Sequence, residues 1–397
     1  MLMTHYKRLA LCGGVCLFSV LTVAAQSYEK LHYKAVLVDT HNDVLSSATM
    51  KGLDIGQDLS GRTHSDLARF RKGGVDVQMF SIFCDERFGK DTAFKFANIE
   101  IDSLYAIAAR HPNEMAMVFT PAALKKAVKQ HKLAAMIGVE GGHMIEESMD
   151  KLDSLYKRGA RYLTLTWNNS TSWASSAKDE TQANLPHKGL NDFGKQLVQH
   201  MNALGMMVDL SHVGEQTFWD AIHITTKPVL VSHSCAYHIC PVFRNLKDDQ
   251  IRAVGQNGGV IQVNFYSGFL DSSYFRKMNN FLAVHKQEAD AMKSAGKAEY
   301  EIMETLSAKY AAEVQDLRAP LSLLIDHIDY IVQLAGVDHV GLGSDFDGID
   351  SAPRELNGVQ DYPLVTKALL ERGYSKKDVR KILGGNFIRV FTANSKK

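Results

Sequence analysis

Five stretches of the chain are continuously apolar and stop at polar turns: AVLV (35–38), LAAMIGV (133–139), GMMVDL (205–210), PVLVS (228–232) and HVGLG (339–343). Runs without polar alternation suit strands buried on both faces, as in a parallel sheet. With weaker segments included, eight strand-like stretches are predicted, at 35–40, 75–83, 133–140, 161–167, 205–211, 228–233, 258–265 and 339–345. Helical patterns separate most of them, among them 66–74, 96–111, 149–159, 190–205 and 214–222, and Thr63/Asp66 and Ser375/Asp378 read as helix N-cap patterns. Strands alternating with helices indicate βαβ units, and eight of them predict an α/β protein of the (β/α)8 TIM-type barrel class. A doubly wound dinucleotide-binding sheet is the runner-up, weakened because GVEGGH lacks a G-x-G-x-x-G after its strand.

Residues 268–320 are too long for an ordinary strand-to-helix connection and are rich in Ala, Glu and Lys. They predict a solvated helical insertion turning at Ala295-Gly296, with an oligomer contact or lid as the alternative. No repeat or linker divides the chain, so residues 26–397 are expected to form a single catalytic domain. Before it, Lys7 and Arg8 precede an apolar stretch from Leu9 to Ala25 that ends in V-A-A. This fits a cleavable signal peptide over 1–25, hence a secreted or periplasmic protein with no stable membrane anchor after cleavage. An uncleaved anchor is the alternative, although the stretch is shorter than the ~20 residues of a span.

Composition narrows the function. The formal net charge is +1 and no long basic run appears, which argues against a nucleic-acid partner. Cys12 and Cys16 would leave with the signal peptide. The remaining Cys84, Cys235 and Cys240 are an odd set that cannot form a complete disulfide framework, so stability must come from the core. A softer His/Cys metal site near His233 is a minor alternative to free or mutually bridged thiols.

The chemistry gathers where predicted strands end. VDTHND (38–43), GVEGG (138–142), DLSH (209–212), VSHS (231–234) and GSDFDG (343–348) supply His41, His212 and His233 with Asp43, Glu140 and Asp345. Those groups suffice to ligate two divalent cations and provide a catalytic base. Strand alternation predicts that His41 and Asp43 share a face, as do Asp345 and Asp347. In a barrel all these positions line one mouth. His64, His143, His187 and His238 have no strand-end partner and read as ordinary structural histidines.

These strings, in this order, resemble the membrane (renal) dipeptidase family of zinc dipeptidases. The likeness runs from about Ala35 to about Thr392 and includes DLARFRKGGVDVQMFS, GARYLTLTWN, GGVIQVNFYSGF and ERGYSKKDVRKILGGNFIRV. The resemblance implies a dizinc metallopeptidase that hydrolyses dipeptides through a metal-bridging hydroxide. It makes His41 and Asp43 ligands of one zinc, His212 and His233 ligands of the other, and Glu140 the bridge. Asp345 matches the acid/base aspartate, with Asp347 as the alternative. Arg244, in PVFRNL, matches the arginine that holds the substrate carboxylate, a task suited to guanidinium geometry. Family members are often dimers, so a homodimer is expected.

One position departs from the pattern. Mammalian members carry a histidine just after LTLT, where it polarises the scissile carbonyl, whereas this chain has Trp167 followed by Asn168. Tryptophan donates one hydrogen bond but cannot be protonated, so polarisation is expected from Trp167, Asn168 or zinc. The N-x-S/T sequons at Asn168 and Asn169 fall on this loop, and no glycan is expected there. The rivals are another amide, ester or lactone hydrolase on the same barrel, and a metal- or solute-binding relative that has lost catalysis.

Overall fold

The computed structural model describes residues 28–182, 185–297 and 299–396, so the expected signal peptide at 1–25, with Cys12 and Cys16, lies outside the described residues. No helix among the described residues is long and apolar enough to cross a membrane. Nine strands form one sheet: β1 (Leu37–Asn42), β2 (Val75–Ile82), β3 (Met115–Met117), β4 (Leu133–Glu140), β5 (Ala160–Thr164), β6 (Met207–Asp209), β7 (Leu230–Val231), β8 (Val260–Val263) and β9 (Val340–Leu342). Eight run in the order β1-β2-β4-β5-β6-β7-β8-β9 with parallel pairing throughout. A parallel bridge between Asn42 and Phe346, flanked by Asp345 N–H to His41 O and Asp43 N–H to Phe346 O, brings the last strand back to the first. The result is a nearly closed eight-stranded parallel barrel surrounded by helices, as predicted. The strand β3 was not predicted. It is three residues long and pairs only with the first residues of β4, outside the barrel path.

Alternation along the strands divides the core in two. Val38, Val77, Met79, Ala134, Met136, Met207, Leu230 and Val260 point into the barrel, where they meet Phe387, Val390 and Phe391 of the C-terminal helix Asn386–Asn394. That helix covers the N-terminal mouth. A larger cluster, including Ile137, Leu163, Val208, Ile261, Leu324 and Ile328, lies between the strands and the outer helices. Helices are started locally by side-chain caps: Asp66 accepts from Arg69 N–H, Ser148 from Lys151 N–H and Ser375 from Asp378 N–H.

Between β8 and β9 the chain forms helices at Ser267–Leu270, Tyr274–Val284, Lys286–Ser294, Glu299–Lys309 and Ala311–Leu317. Gly296, with φ 83°, sits at the turn between the third and fourth. Phe281, Ile302 and Leu306 give this segment a small core of its own.

Candidate active site

Seven of the eight barrel strands contribute at or just beyond their C-terminal ends. β1 carries His41 and is followed by Asp43; Glu140 is the last residue of β4; Trp167 and Asn168 follow β5. His212, His233, Asn264 and Asp345 follow β6, β7, β8 and β9 in turn. All but Trp167, Asn168 and Asp345 are buried.

Glu140 stands at the centre with its two oxygens facing different partners. Oε2 lies 3.4 Å from His41 Nε2, which is also 3.4 Å from Asp43 Oδ2. Oε1 lies 2.9 Å from His212 Nε2 and 3.4 Å from His233 Nε2. His212 and His233 present their Nε2 atoms to each other at 2.9 Å. Asp345 Oδ1 completes the first group at 3.9 Å from His41 Nε2.

The outer nitrogens of the histidines fix what the inner ones can do. The Tyr162 hydroxyl donates to Thr40 O at 3.2 Å and therefore accepts from His41 Nδ1 at 3.0 Å. His212 Nδ1 meets the amide oxygen of Asn168 at 3.2 Å and so donates. Ser232 Oγ gives its proton to Asp209 Oδ2 at 2.6 Å and accepts from His233 Nδ1 at 2.8 Å. With Nδ1 protonated in all three rings, each Nε2 is a bare lone pair directed at the same carboxylate. Lone pairs facing lone pairs and an anion repel, unless a cation lies among them. His41 Nε2 and Asp43 Oδ1 are buried with no hydrogen-bond partner, as a cation site in the fold requires. Two sets of mutually close donors arise: His41, Glu140 and His233, and His41, Asp43 and Asp345.

The electrostatics agree. Burial opposes ionisation of Glu140, but His41, His212 and His233 outweigh it and hold the carboxyl well below its ordinary range. Burial also disfavours charge on His41, yet Tyr162, Glu140 and Asp43 raise its affinity for a proton well above normal. The carboxylates thus demand a positive charge, which a proton on His41 or a metal ion can supply. Burial, then the charge of Arg244, depresses His212 to about 4, and burial, then His41, holds His233 well below its ordinary value. Both remain neutral ligand-type imidazoles at neutral pH.

Backbone conformation places several of these groups. His212 and Asp345 have φ 65° and 61°, left-handed values that cost non-glycine residues of order 1–3 kcal/mol. Two glycines permit close approach. A Cβ on Gly138 would lie 1.9 Å from the Tyr162 ring, which crosses the barrel to reach His41, and one on Gly348 would lie 2.3 Å from Asp43 Oδ2.

Asp345 is held through Oδ2 by Asn264 Nδ2 at 2.8 Å, leaving Oδ1 towards the cluster and the cavity. Burial, with Asp43 and Glu140 nearby, pushes its carboxyl well above the ordinary range despite His41. Asp347 lines the same cavity but does not join the donor set of His41 and Asp43. β9 ends at Leu342, alternation has lapsed by Asp345, and Asp347 (φ 68°) turns to accept from His64 N–H at 2.6 Å while its own N–H meets His64 Nδ1 at 3.1 Å. The expected Asp345/Asp347 pair is therefore corrected to Asp345 alone, and His64 does have a strand-end partner.

Arg244 is 4% exposed. Its guanidinium donates to Ser234 Oγ at 3.2 Å and His233 O at 3.1 Å, stacks over Phe269 at 5.3 Å, and leaves Nε unpaired. Among the described residues no carboxylate lies within ion-pair distance of it. Burial lowers its pKa to about 10, still protonated at neutral pH. Arg244, Trp167, Asn168, Asp345 and Glu140 line one cavity of about 740 Å³. Trp167 packs on Phe83 with ring centroids 5.0 Å apart.

Two buried aspartates that were not among the expected site residues brace the site. Asp39 accepts from Ser344 N–H and Oγ at 2.9 and 2.6 Å, tying β1 to the loop that carries Asp345. Asp209 does the same for Ser232, at 2.8 and 2.6 Å, beside His233. Both aspartates stand in the strings that carry His41 and His212, and Asn264 ends an apolar run, so a signal existed for these three. Tyr162 lies inside a strand and gave none. Cys84, Cys235 and Cys240 are all free and buried. Cys235 and Cys240 donate to Asn264 O and Gly268 O, and neither joins the histidine cluster.

The chain is similar to known proteins over most of its length. The family model described as membrane dipeptidase (peptidase family M19) matches residues 25–397. The chain belongs to the membrane dipeptidase family. An uncharacterized dipeptidase of Schizosaccharomyces pombe is 32% identical over 388 residues, covering 93% of this chain and 83% of that protein. Among solved structures, the probable dipeptidase PvdM of Pseudomonas aeruginosa aligns with TM-score 0.79 at 22% identity, over 94% of this chain and 98% of that one. A metallopeptidase of Rhodobacter sphaeroides, liganded with a phosphinate mimic of the dipeptide L-Ala-D-Ala, aligns with TM-score 0.72 at 21% identity, over 91% and 99%. This membrane dipeptidase family member shares their barrel, and its family is one of dipeptide-hydrolysing metallopeptidases.

Proposed function

We propose that the chain is a dizinc dipeptidase in which Glu140 bridges two ions, His41 and Asp43 hold one, and His212 and His233 hold the other. The observation that carries this reading is the division of the Glu140 carboxylate, with Oε2 towards His41 and Oε1 towards His212 and His233. Zinc held by these residues would supply Lewis-acid polarisation of the scissile carbonyl and would lower the pKa of water to ~7.

The chain's own residues supply the rest. Asp345 Oδ1, fixed by Asn264, takes the proton released as water attacks and returns it to the leaving amine, so the peptide bond breaks to a carboxylate and a free amine. Arg244 binds the substrate's terminal carboxylate: a buried guanidinium without an anionic partner favours one strongly. This anchor limits the reaction to substrates whose carboxylate lies one residue beyond the scissile bond. Asn168 spends its amide oxygen on His212 and acts as a positioning residue. Trp167 walls the cavity beside Phe83, leaving carbonyl polarisation to the metal centre. An exported location, through the 1–25 segment, completes the reading.

The test is amine release from a panel of dipeptides by metal-replete protein, with and without chelator. Free dipeptides should be cleaved and chelation should abolish the activity. Arg244→Ala should raise KM at least ~30-fold for free dipeptides, because truncating one partner of a buried charge pair costs about 2 kcal/mol or more. It should change little for C-terminally amidated ones. Equal losses on both kinds would rule out the anchor.

A further inference from the structure

A second cavity, of about 630 Å³, adjoins the first, and the two share His212, Arg244 and Phe269. The site is thus bilobed, with Arg244 at the neck. One lobe holds Glu140 and Asp345. The other is lined at its floor by Leu210, Val213 and Leu246, and its rim carries Tyr237, Phe243 and Phe275. Those three aromatic rings are 38%, 45% and 48% exposed, among the few large apolar side chains so exposed in the described residues. Exposed rings gathered around one opening mark a binding surface rather than random exposure.

The charged groups of this lobe are largely engaged. Lys247 pairs with Glu215 at 2.6 Å, and Glu180 accepts from Ser175 Oγ at 2.5 Å; Lys188 stands at the exposed edge. The loop bearing the neck and part of the rim is pinned: Asn245 donates to Cys240 O and Phe269 O and accepts from Cys235 N–H. Phe243 and Arg244 are consecutive on it. A single rigid loop therefore sets the distance between a carboxylate anchor and an aromatic wall.

We propose that the second lobe receives the side chain of the substrate's C-terminal residue and selects large apolar side chains there, aromatic ones above all. The inference rests on Arg244 as the carboxylate anchor. With the scissile bond in the lobe of Glu140 and the carboxylate at the neck, the C-terminal side chain is the part of a dipeptide that extends beyond the neck. Rings in the wall offer offset or edge-to-face contacts to an aromatic guest.

The experiment compares kcat/KM for Ala-Phe and Ala-Gly in the parent and in Phe243→Ala/Phe275→Ala. The parent should favour Ala-Phe at least tenfold, and the double variant should lower that ratio about tenfold, the scale of discrimination a hydrophobic pocket provides. Phe243→Leu, which keeps apolar bulk, should retain most of the ratio and serves if the double variant does not fold. A parent ratio near one, or a ratio that the substitutions leave unmoved, overturns the inference. If the parent cleaves neither dipeptide, the proposed function fails and binding decides the lobe's role. Calorimetry should then show free phenylalanine binding more tightly than glycine, with the difference lost in the variant; equal affinities overturn it.

Discussion

The two mouths of the barrel are built from the same eight strands and solve opposite problems. At the N-terminal mouth, Phe387, Val390 and Phe391 of the last helix press on Val38, Met136 and Leu230, and the rings of Phe387 and Phe391 stack at 6.0 Å. These side chains are apolar and are accommodated by packing. At the C-terminal mouth, buried His41 Nε2, Asp43 Oδ1 and Arg244 Nε lack partners, and His212, Asp345 and Asp347 hold left-handed backbone. Unpaired polar atoms and strained residues persist only where the surrounding structure enforces them. One end of the barrel thus supplies stability, which the other spends on the arrangement that we propose binds cations and a carboxylate.

Substitution at each mouth should separate these roles. Phe391→Ala removes a fully buried ring from the lower plug and should lower unfolding stability by about 3–5 kcal/mol. The folded fraction should keep its turnover. Chemical denaturation alongside active-site titration checks this, and a large loss of kcat per folded molecule would join the two mouths functionally.

Asp345→Asn should have the reverse signature. It keeps the shape and the Asn264 contact but removes the proton carrier, so kcat should fall ~10²-fold or more while the melting temperature and metal content hold. Steady-state kinetics with elemental analysis reads both. Full activity in this variant would move the acid/base role elsewhere.

A smaller effect is expected at Trp167, where the chain departs from the mammalian pattern. Its indole packs on Phe83, and the Phe83 N–H is in turn held by the buried Glu100 at 2.7 Å. Trp167→Phe keeps an aromatic, though smaller, wall and removes the N–H donor, so kcat should stay within about threefold of the parent. A loss of ~10²–10³ is the size expected for a removed oxyanion donor and would return the carbonyl to Trp167.

The contrast between the mouths also explains what the sequence could show. Five apolar runs ending in His, Asp or Glu carry both the barrel and the cluster, because a parallel strand buried on both faces leaves a long apolar trace and its end is a fixed place. The short β3 left no such trace. Alternation misled at Asp347, since the pleat ends at Leu342 and the following backbone is left-handed. Tyr162 reaches His41 across the barrel, a contact between residues 121 apart that no local pattern encodes. The second lobe draws Phe243 from a loop and Phe275 from the helical segment between β8 and β9, so only the folded chain brings them together.

The division of Glu140 between two donor sets is the centre of this account, and counting metal ions tests it most directly. Metal-replete protein should hold two divalent ions per chain by elemental analysis. Glu140→Gln should remain folded yet lose metal and activity together, because a neutral amide is a weaker bridge than a carboxylate. A parent that binds one ion or none, or a Glu140→Gln protein with two ions and full activity, would contradict it.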